Sequence, residues 1–154
     1  MTRYVVVSAA ALRSIAEVCA AEAGRRETGG ILLGRLHADG HLSVEAAGDP
    51  GPLAQQAPSR FRRDAAHAQE LASAAYQRDR SIWLGDWHTH PTGPAYPSPV
   101  DMRSYADVLR DPAFDGGTFL SIIVRPASSG PVLYPWARAT AGARPLGLWV
   151  DRSR

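Results

Sequence analysis

A chain of 154 residues, 45% hydrophobic and 21% charged, can form one domain with its own core and has the balance of an ordinary globular protein. A net charge of +2 spread over scattered arginines argues against a nucleic-acid partner, even with a pI near 9.0. No apolar run reaches membrane-spanning length, and the single cysteine, Cys19, excludes an internal disulfide and a thiolate zinc site, which fits a reducing cytoplasm.

All 17 basic residues are arginine, a bias that a GC-rich genome explains. The stretch from Met1 to Ala23 has the apolar look of a signal peptide, but Arg13 and Glu17 interrupt it. Arg3 to Ser8 reads as a strand through its three consecutive valines, and Ser8 can cap a following helix. Leu12, Ile15, Ala16 and Cys19 lie at helical spacing and predict a buried stripe. Cys19 on it reads as core rather than nucleophile, and Gly24 ends the helix.

Glu27 stands at the mouth of the next strand, which enters through Gly29 and Gly30 and continues Ile31-Leu32-Leu33-Gly34. Paired glycines in a strand mark a close approach to the backbone. A turn at Ala38-Asp39-Gly40 leads to Leu42–Ala46 and completes a hairpin. Residues Gly48 to Pro58, rich in Gly, Pro and Gln, read as an exposed loop. From Asp64 to Asp79 the period is helical, with Ala68, Leu71, Ala72 and Ala75 on one face.

Ser81 to His90 reads as a strand ending in Gly85-Asp86-Trp87-His88-Thr89-His90-Pro91. Residues i and i+2 of a strand share a face, so His88 and His90 can converge on one point. Asp86 shares that face and suits either support of the histidines or a solvated position at a sheet edge. Trp87 and Thr89 face the other way and pack. After a proline-stiffened loop, Ser98-Pro99-Val100-Asp101 opens a helix running to about Arg110, with Ser98 as N-cap, Pro99 at the first position and Asp101 completing a capping-box pattern. Two imidazoles and a carboxylate leave a fourth tetrahedral position open, the arrangement of catalytic zinc. Thr118–Arg125, Val132–Thr140 and Leu146–Asp151 read as further strands. His37, His41 and His67 lack a ligand partner nearby in sequence and read as surface residues.

Glu27, His88, His90, Ser98 and Asp101 together resemble the motif of the JAMM (JAB/MPN) zinc metalloprotease family: a glutamate, then His-x-His, seven residues, Ser, two residues, Asp. The resemblance covers about Arg3 to Val124. Phe61-Arg62-Arg63-Asp64 and Gly85–Pro91 point to the prokaryotic JAB branch, which includes deconjugases encoded beside E1- and E2-like proteins in CBASS anti-phage operons. The resemblance implies an α/β fold of the α+β type, a mixed sheet flanked by helices with cytidine-deaminase-like layering, in a single domain over residues 1–154. It implies one zinc ion held by His88, His90 and Asp101. Glu27 is then the general base and Ser98 the oxyanion donor, although Ser98 also has its plain role as a cap. It also implies a cytoplasmic hydrolase of the amide or isopeptide bond after the C-terminal tail of a ubiquitin-like protein, with Gly29-Gly30 and the Gly48–Pro58 loop bordering the tail's channel. Two other readings are a peptidase acting on a sulfur-carrier protein or its cysteine adduct, and a non-catalytic scaffold.

Overall fold

The structure, a computed structural model, describes residues 2–22, 25–112, 114 and 117–153; Gly24, expected to end the first helix, lies outside them. Along the chain run β1 (Tyr4–Ser8), α1 (Ala9–Glu22), β2 (Gly29–Leu36), β3 (Leu42–Ala47), β4 (Gln55–Ala57), β5 (Arg60–Arg62) and α2 (Ala65–Asp79). Then come β6 (Ile82–Thr89), α3 (Pro99–Arg110), β7 (Phe119–Arg125), β8 (Val132–Ala139), β9 (Gly142–Pro145) and β10 (Gly147–Asp151). No helix among the described residues is long and apolar enough to cross a membrane.

Eight strands form one mixed sheet in the order β10-β1-β3-β2-β6-β7-β8-β9. β1 is parallel to β3 and β10, and β6 is parallel to β7, while the remaining ladders are antiparallel. Strand alternation divides the core into two layers. On one face Val5, Val7, Leu32, Trp87, Leu120 and Ile122 pack beneath Ala11 and Ile15 of α1. On the other, Ile31 and Leu33 meet Ala75, Leu71 and Ala72 of α2, and Phe119 meets Tyr105 of α3. The result is a sheet covered by helices on both sides, the α/β layering expected. The buried face of α1 centres on Ala11 and Ile15. Leu12 and Cys19 are partly buried at its margin, and burial pushes the Cys19 thiol up to about 11, away from nucleophile chemistry.

Three expectations needed correction. The Gly48–Pro58 segment is not simply a loop: Gln55–Ala57 pairs antiparallel with Arg60–Arg62 in a separate two-stranded ribbon, and Gly48 is buried. A short strand at Gly142–Pro145 extends the sheet beyond β8. His37, His41 and His67 are half-buried and partnered: His37 stacks on His41, His41 on Tyr4, His37 bonds the Ser43 hydroxyl, and His41 and His67 pair with Asp39 and Asp49.

The close approach expected at Gly29 and Gly30 is made by the chain itself. A Cβ on Gly30 would lie 2.0 Å from the Gly48 carbonyl oxygen, and one on Gly29 would lie 2.1 Å from that of Trp87. The Gly48 strap is fixed by its own N–H, which donates to the Ile31 carbonyl at 2.8 Å, and by its carbonyl, which accepts from the Trp87 indole at 3.0 Å. Neither can retreat without losing a buried hydrogen bond. Gly30→Ala therefore costs about 3 kcal/mol of unfolding free energy, at the upper end of overpacking penalties. Urea denaturation measures it, and a loss under about 1 kcal/mol would show that the strap moves freely.

Candidate metal centre

β6 lies between β2 and β7, so the histidine strand is held on both edges. Its register with β7, Asp86 opposite Ser121 and His88 opposite Ile123, together with strand alternation, sets Asp86 and His88 on the α3 face and Trp87 on the α1 face. One bulge intervenes upstream, where the β2 ladder steps from Leu32–Gly85 to Leu33–Trp83 and leaves Leu84 as the extra residue.

α3 brings the third donor. Ser98 Oγ accepts from the Asp101 N–H at 3.1 Å, and Asp101 Oδ2 accepts from the Ser98 N–H at 2.8 Å, the reciprocal pair of a capping box. The same Oδ2 stands 3.1 Å from His88 Nε2 and 3.3 Å from His90 Nε2, and the two Nε2 atoms are 3.1 Å apart. The capping box thus aims the carboxylate at the histidines. Burial opposes ionisation of Asp101, but the adjoining His88 and His90 imidazoles and the Ser98 N–H overcome it and hold the carboxyl far below the usual carboxylate range.

These donors suit a divalent cation. The Pro94 carbonyl lies 2.7 Å from His90 Nδ1 and can only accept, so Nδ1 carries the proton and Nε2 presents a lone pair. That lone pair faces the Asp101 carboxylate and His88 Nε2, a cluster of acceptors that only a proton or a cation between them makes favourable. The three ligand atoms lie within 4.8 Å of one another on buried or half-buried side chains. Two imidazoles and one carboxylate form a ligand set of zinc hydrolases.

Glu27 reaches the site through the sheet. Gly29 pairs with His88, the Thr28 N–H donates to Thr89 Oγ1 at 2.9 Å, and the Thr89 N–H donates to the Thr28 carbonyl at 2.8 Å. The residue before Thr28 therefore arrives beside the end of β6. The Glu27 N–H is tied to the Ala57 carbonyl of the ribbon at 2.8 Å. Burial pushes the Glu27 carboxyl above its ordinary value, opposed by the nearby histidines and reinforced by Asp101. Glu27, Ser98 and Asp101 line one cleft of about 460 Å³ between the ribbon and α3. The structure thus brings together all five motif residues.

Asp86 is not at a sheet edge. It lies on a central strand, ion-paired at 2.5 Å with Arg63 and within 3.4 Å of the Trp83 indole nitrogen, and Arg63 also stacks over the Trp83 ring. With His88, Asp101 and Tyr105 it borders a second cavity of about 290 Å³. No pattern in the sequence announces Arg63 as its partner, nor Pro94 as the carbonyl that orients His90. Removing one member of this half-buried pair leaves the other charge unpaired. Asp86→Ala therefore costs about 3 kcal/mol of stability in chemical denaturation, whereas Asp86→Asn, which keeps a hydrogen-bond acceptor for Arg63, costs less. Equal costs for the two would show that the retained acceptor contributes nothing and that the loss lies in the charge alone.

Residues 8–137 match the family described as prokaryotic homologues of the JAB domain. Curated relatives named CD-NTase/cGAS isopeptidase are 30% identical over 81 residues in Escherichia coli strain TW11681 and 32% identical over 81 residues in Vibrio cholerae, each match covering 51% of both chains. One from Enterobacter hormaechei is 32% identical over 107 residues, covering 68% of this chain and 57% of the relative. The chain thus spans about half the length of the curated relatives it matches. The solution structure of a protein from Desulfitobacterium hafniense superposes with a TM-score of 0.73 at 21% identity, covering 96% of this chain and 93% of that one, and shares the fold. With the match spanning most of the chain, the protein belongs to the family of prokaryotic homologues of the JAB domain.

Proposed function

We propose that the chain is a zinc-dependent isopeptidase or peptidase that hydrolyses the amide bond after the C-terminal tail of a ubiquitin-like protein. The observation that carries this reading is the convergence of His88, His90 and Asp101 beside a cleft that also presents Glu27 and Ser98. The curated relatives' name, CD-NTase/cGAS isopeptidase, supports an isopeptide bond, and the same proposal takes in a place in CBASS defence with E1- and E2-like proteins as pathway partners. In this reading residues 1–154 act as one cytoplasmic domain.

A zinc ion held by the two imidazoles and Asp101 supplies Lewis acidity and lowers the pKa of a water to about 7. Glu27, buried and raised in pKa, accepts the proton from the attacking water and delivers it to the leaving amine. The Ser98 hydroxyl uses its oxygen as an acceptor for the Asp101 N–H, which leaves its own proton free to donate to the oxyanion of the tetrahedral intermediate. The capping bond thereby fixes the donor that the chemistry needs. The ribbon, anchored to Glu27 through Ala57, forms the wall opposite α3, so the tail lies between them.

The test is cleavage of a ubiquitin-like protein encoded near this chain's gene, presented both as a lysine conjugate and as a linear C-terminal extension. Release of the intact ubiquitin-like protein with its tail ending at the junction, read by mass spectrometry, is the expected result. Intact substrate in both formats after zinc loading, together with tight binding of the tail, would instead support a scaffold.

A further inference from the structure

The basic run on the ribbon divides into two kinds of arginine. Arg63 is committed inward to Asp86 and the Trp83 ring. Arg60 and Arg62 are exposed, alternate along β5, and make no ion pair among the described residues. Both line the cleft that holds Glu27, Ser98 and Asp101, and Arg62 also borders the adjoining cavity beside His88. Nothing in the fold requires them: β5 pairs only with β4, through its backbone.

Among the described residues the opposite wall offers no such unpaired cation, because its exposed charges are matched to each other. Asp107 of α3 lines the same cleft and is solvent-exposed, with Arg110 beside it as an exposed partner. A cleft with unpaired guanidinium groups on one wall and a matched ion pair on the other draws an incoming anion toward the ribbon. Guanidinium groups match carboxylates through paired N–H donors, and alternate residues of a strand stand about 7 Å apart on one face. A group they hold therefore sits in the same cleft that Glu27 and Ser98 line.

We propose that Arg60 and Arg62 read a carboxylate on the substrate close to the scissile bond, so that the preferred substrate is acidic there. This rests on the hydrolase reading above. The carboxylate comes from one of two sources: an Asp or Glu in the tail before the bond, or a carboxylate on the leaving side, including the free α-carboxylate of a released amino acid.

Two pairs of peptides distinguish the sources, each pair differing only by Glu against Gln, one pair on the tail side of the bond and one on the leaving side. In the zinc-loaded protein the Glu peptide of one pair is favoured roughly five- to tenfold in kcat/KM at low salt, a range set by partly exposed charge pairs. The ratio falls toward one in 1 M salt, where the Debye length is about 3 Å, and in the double variant Arg60→Gln, Arg62→Gln. A ratio near one in both pairs, or a preference that survives the double variant, overturns the proposal while leaving the hydrolase reading intact. Calorimetric binding of the same peptides to the Glu27→Gln protein gives the acid-over-amide ratio without turnover. Absence of all cleavage would thus count against the hydrolase alone, and the binding ratio would still decide for or against the arginines.

Discussion

Glu27→Gln lowers kcat about 10³-fold, a loss of about 4 kcal/mol of transition-state stabilisation, while the fold and the metal site persist. The side chain changes by one atom type, and the hydrogen bond that ties this residue to the ribbon, from its N–H to the Ala57 carbonyl, belongs to the main chain. The amide cannot accept a proton from water, so both proton transfers assigned to Glu27 are lost together. Metal content and circular dichroism match those of the parent protein, which separates loss of chemistry from loss of structure. Wild-type turnover by this variant would remove Glu27 from the mechanism.

The same residue predicts a stability difference of known sign in the metal-free protein. Burial raises the Glu27 carboxyl above its ordinary value, so the ionised form is penalised in the folded state. The folded protein then binds more protons than the unfolded chain between the two pKa values, and stability falls as pH rises through that window. Glutamine has no such penalty. Metal-free Glu27→Gln is therefore more stable than the parent at neutral pH, and the advantage disappears as pH drops below the ordinary glutamate value. The rate profile of the parent shows the counterpart: activity declines on the acid side as Glu27 becomes protonated.

The local parts of the site were legible in the sequence because each depends on neighbours within a few positions. His88 and His90 share a face through strand alternation, and Ser98, Pro99 and Asp101 announce a helix start, which the capping box realises. From the residues alone Glu27 could have been a surface charge; only the family motif pointed to it. What brings it to the histidines is the antiparallel register of Gly29 with His88, and register depends on the whole sheet. The bulge at Leu84 sharpens the point: counting alternate residues back from His88 puts Leu84 on the histidine face, whereas it packs in the layer beneath α1.

The ribbon was illegible for a different reason. Gln55–Ala57 and Arg60–Arg62 are three-residue strands in which only Phe61 has a strong β preference, between Pro- and Gly-rich flanks. They form a pair of their own outside the main sheet, and their anchor is the Ala57 carbonyl, which carries no side-chain signature. Gly142–Pro145 was missed likewise, since glycine and proline argue against a strand except at an edge, which is where it lies. The placement of Asp86 depended on strand order, and β6 as a central strand follows from packing on both faces rather than from any local pattern.

Removing the metal abolishes turnover altogether and also loosens the protein. A cation that binds only the folded state stabilises it by about 4 kcal/mol when present at a thousand times its dissociation constant, so chelation lowers the melting temperature and zinc restores both the melting temperature and activity. Magnesium does neither, because it favours six oxygen ligands and the site offers two imidazoles. Asp101→Asn isolates the role of the charge. Its side-chain oxygen can still accept from the Ser98 N–H, and its own N–H can still donate to Ser98 Oγ, so α3 keeps its start. The affinity for zinc nonetheless falls by more than the roughly 10–100-fold typical of altering an outer partner of a ligand, because a ligand itself has lost its charge. His88→Ala removes a nitrogen from a buried site and has the larger effect on binding. Calorimetric zinc titration of both variants, beside their melting curves without metal, settles the assignment. Unchanged zinc affinity in Asp101→Asn would show that the carboxylate serves only the helix cap, and a third ligand would have to come from another residue.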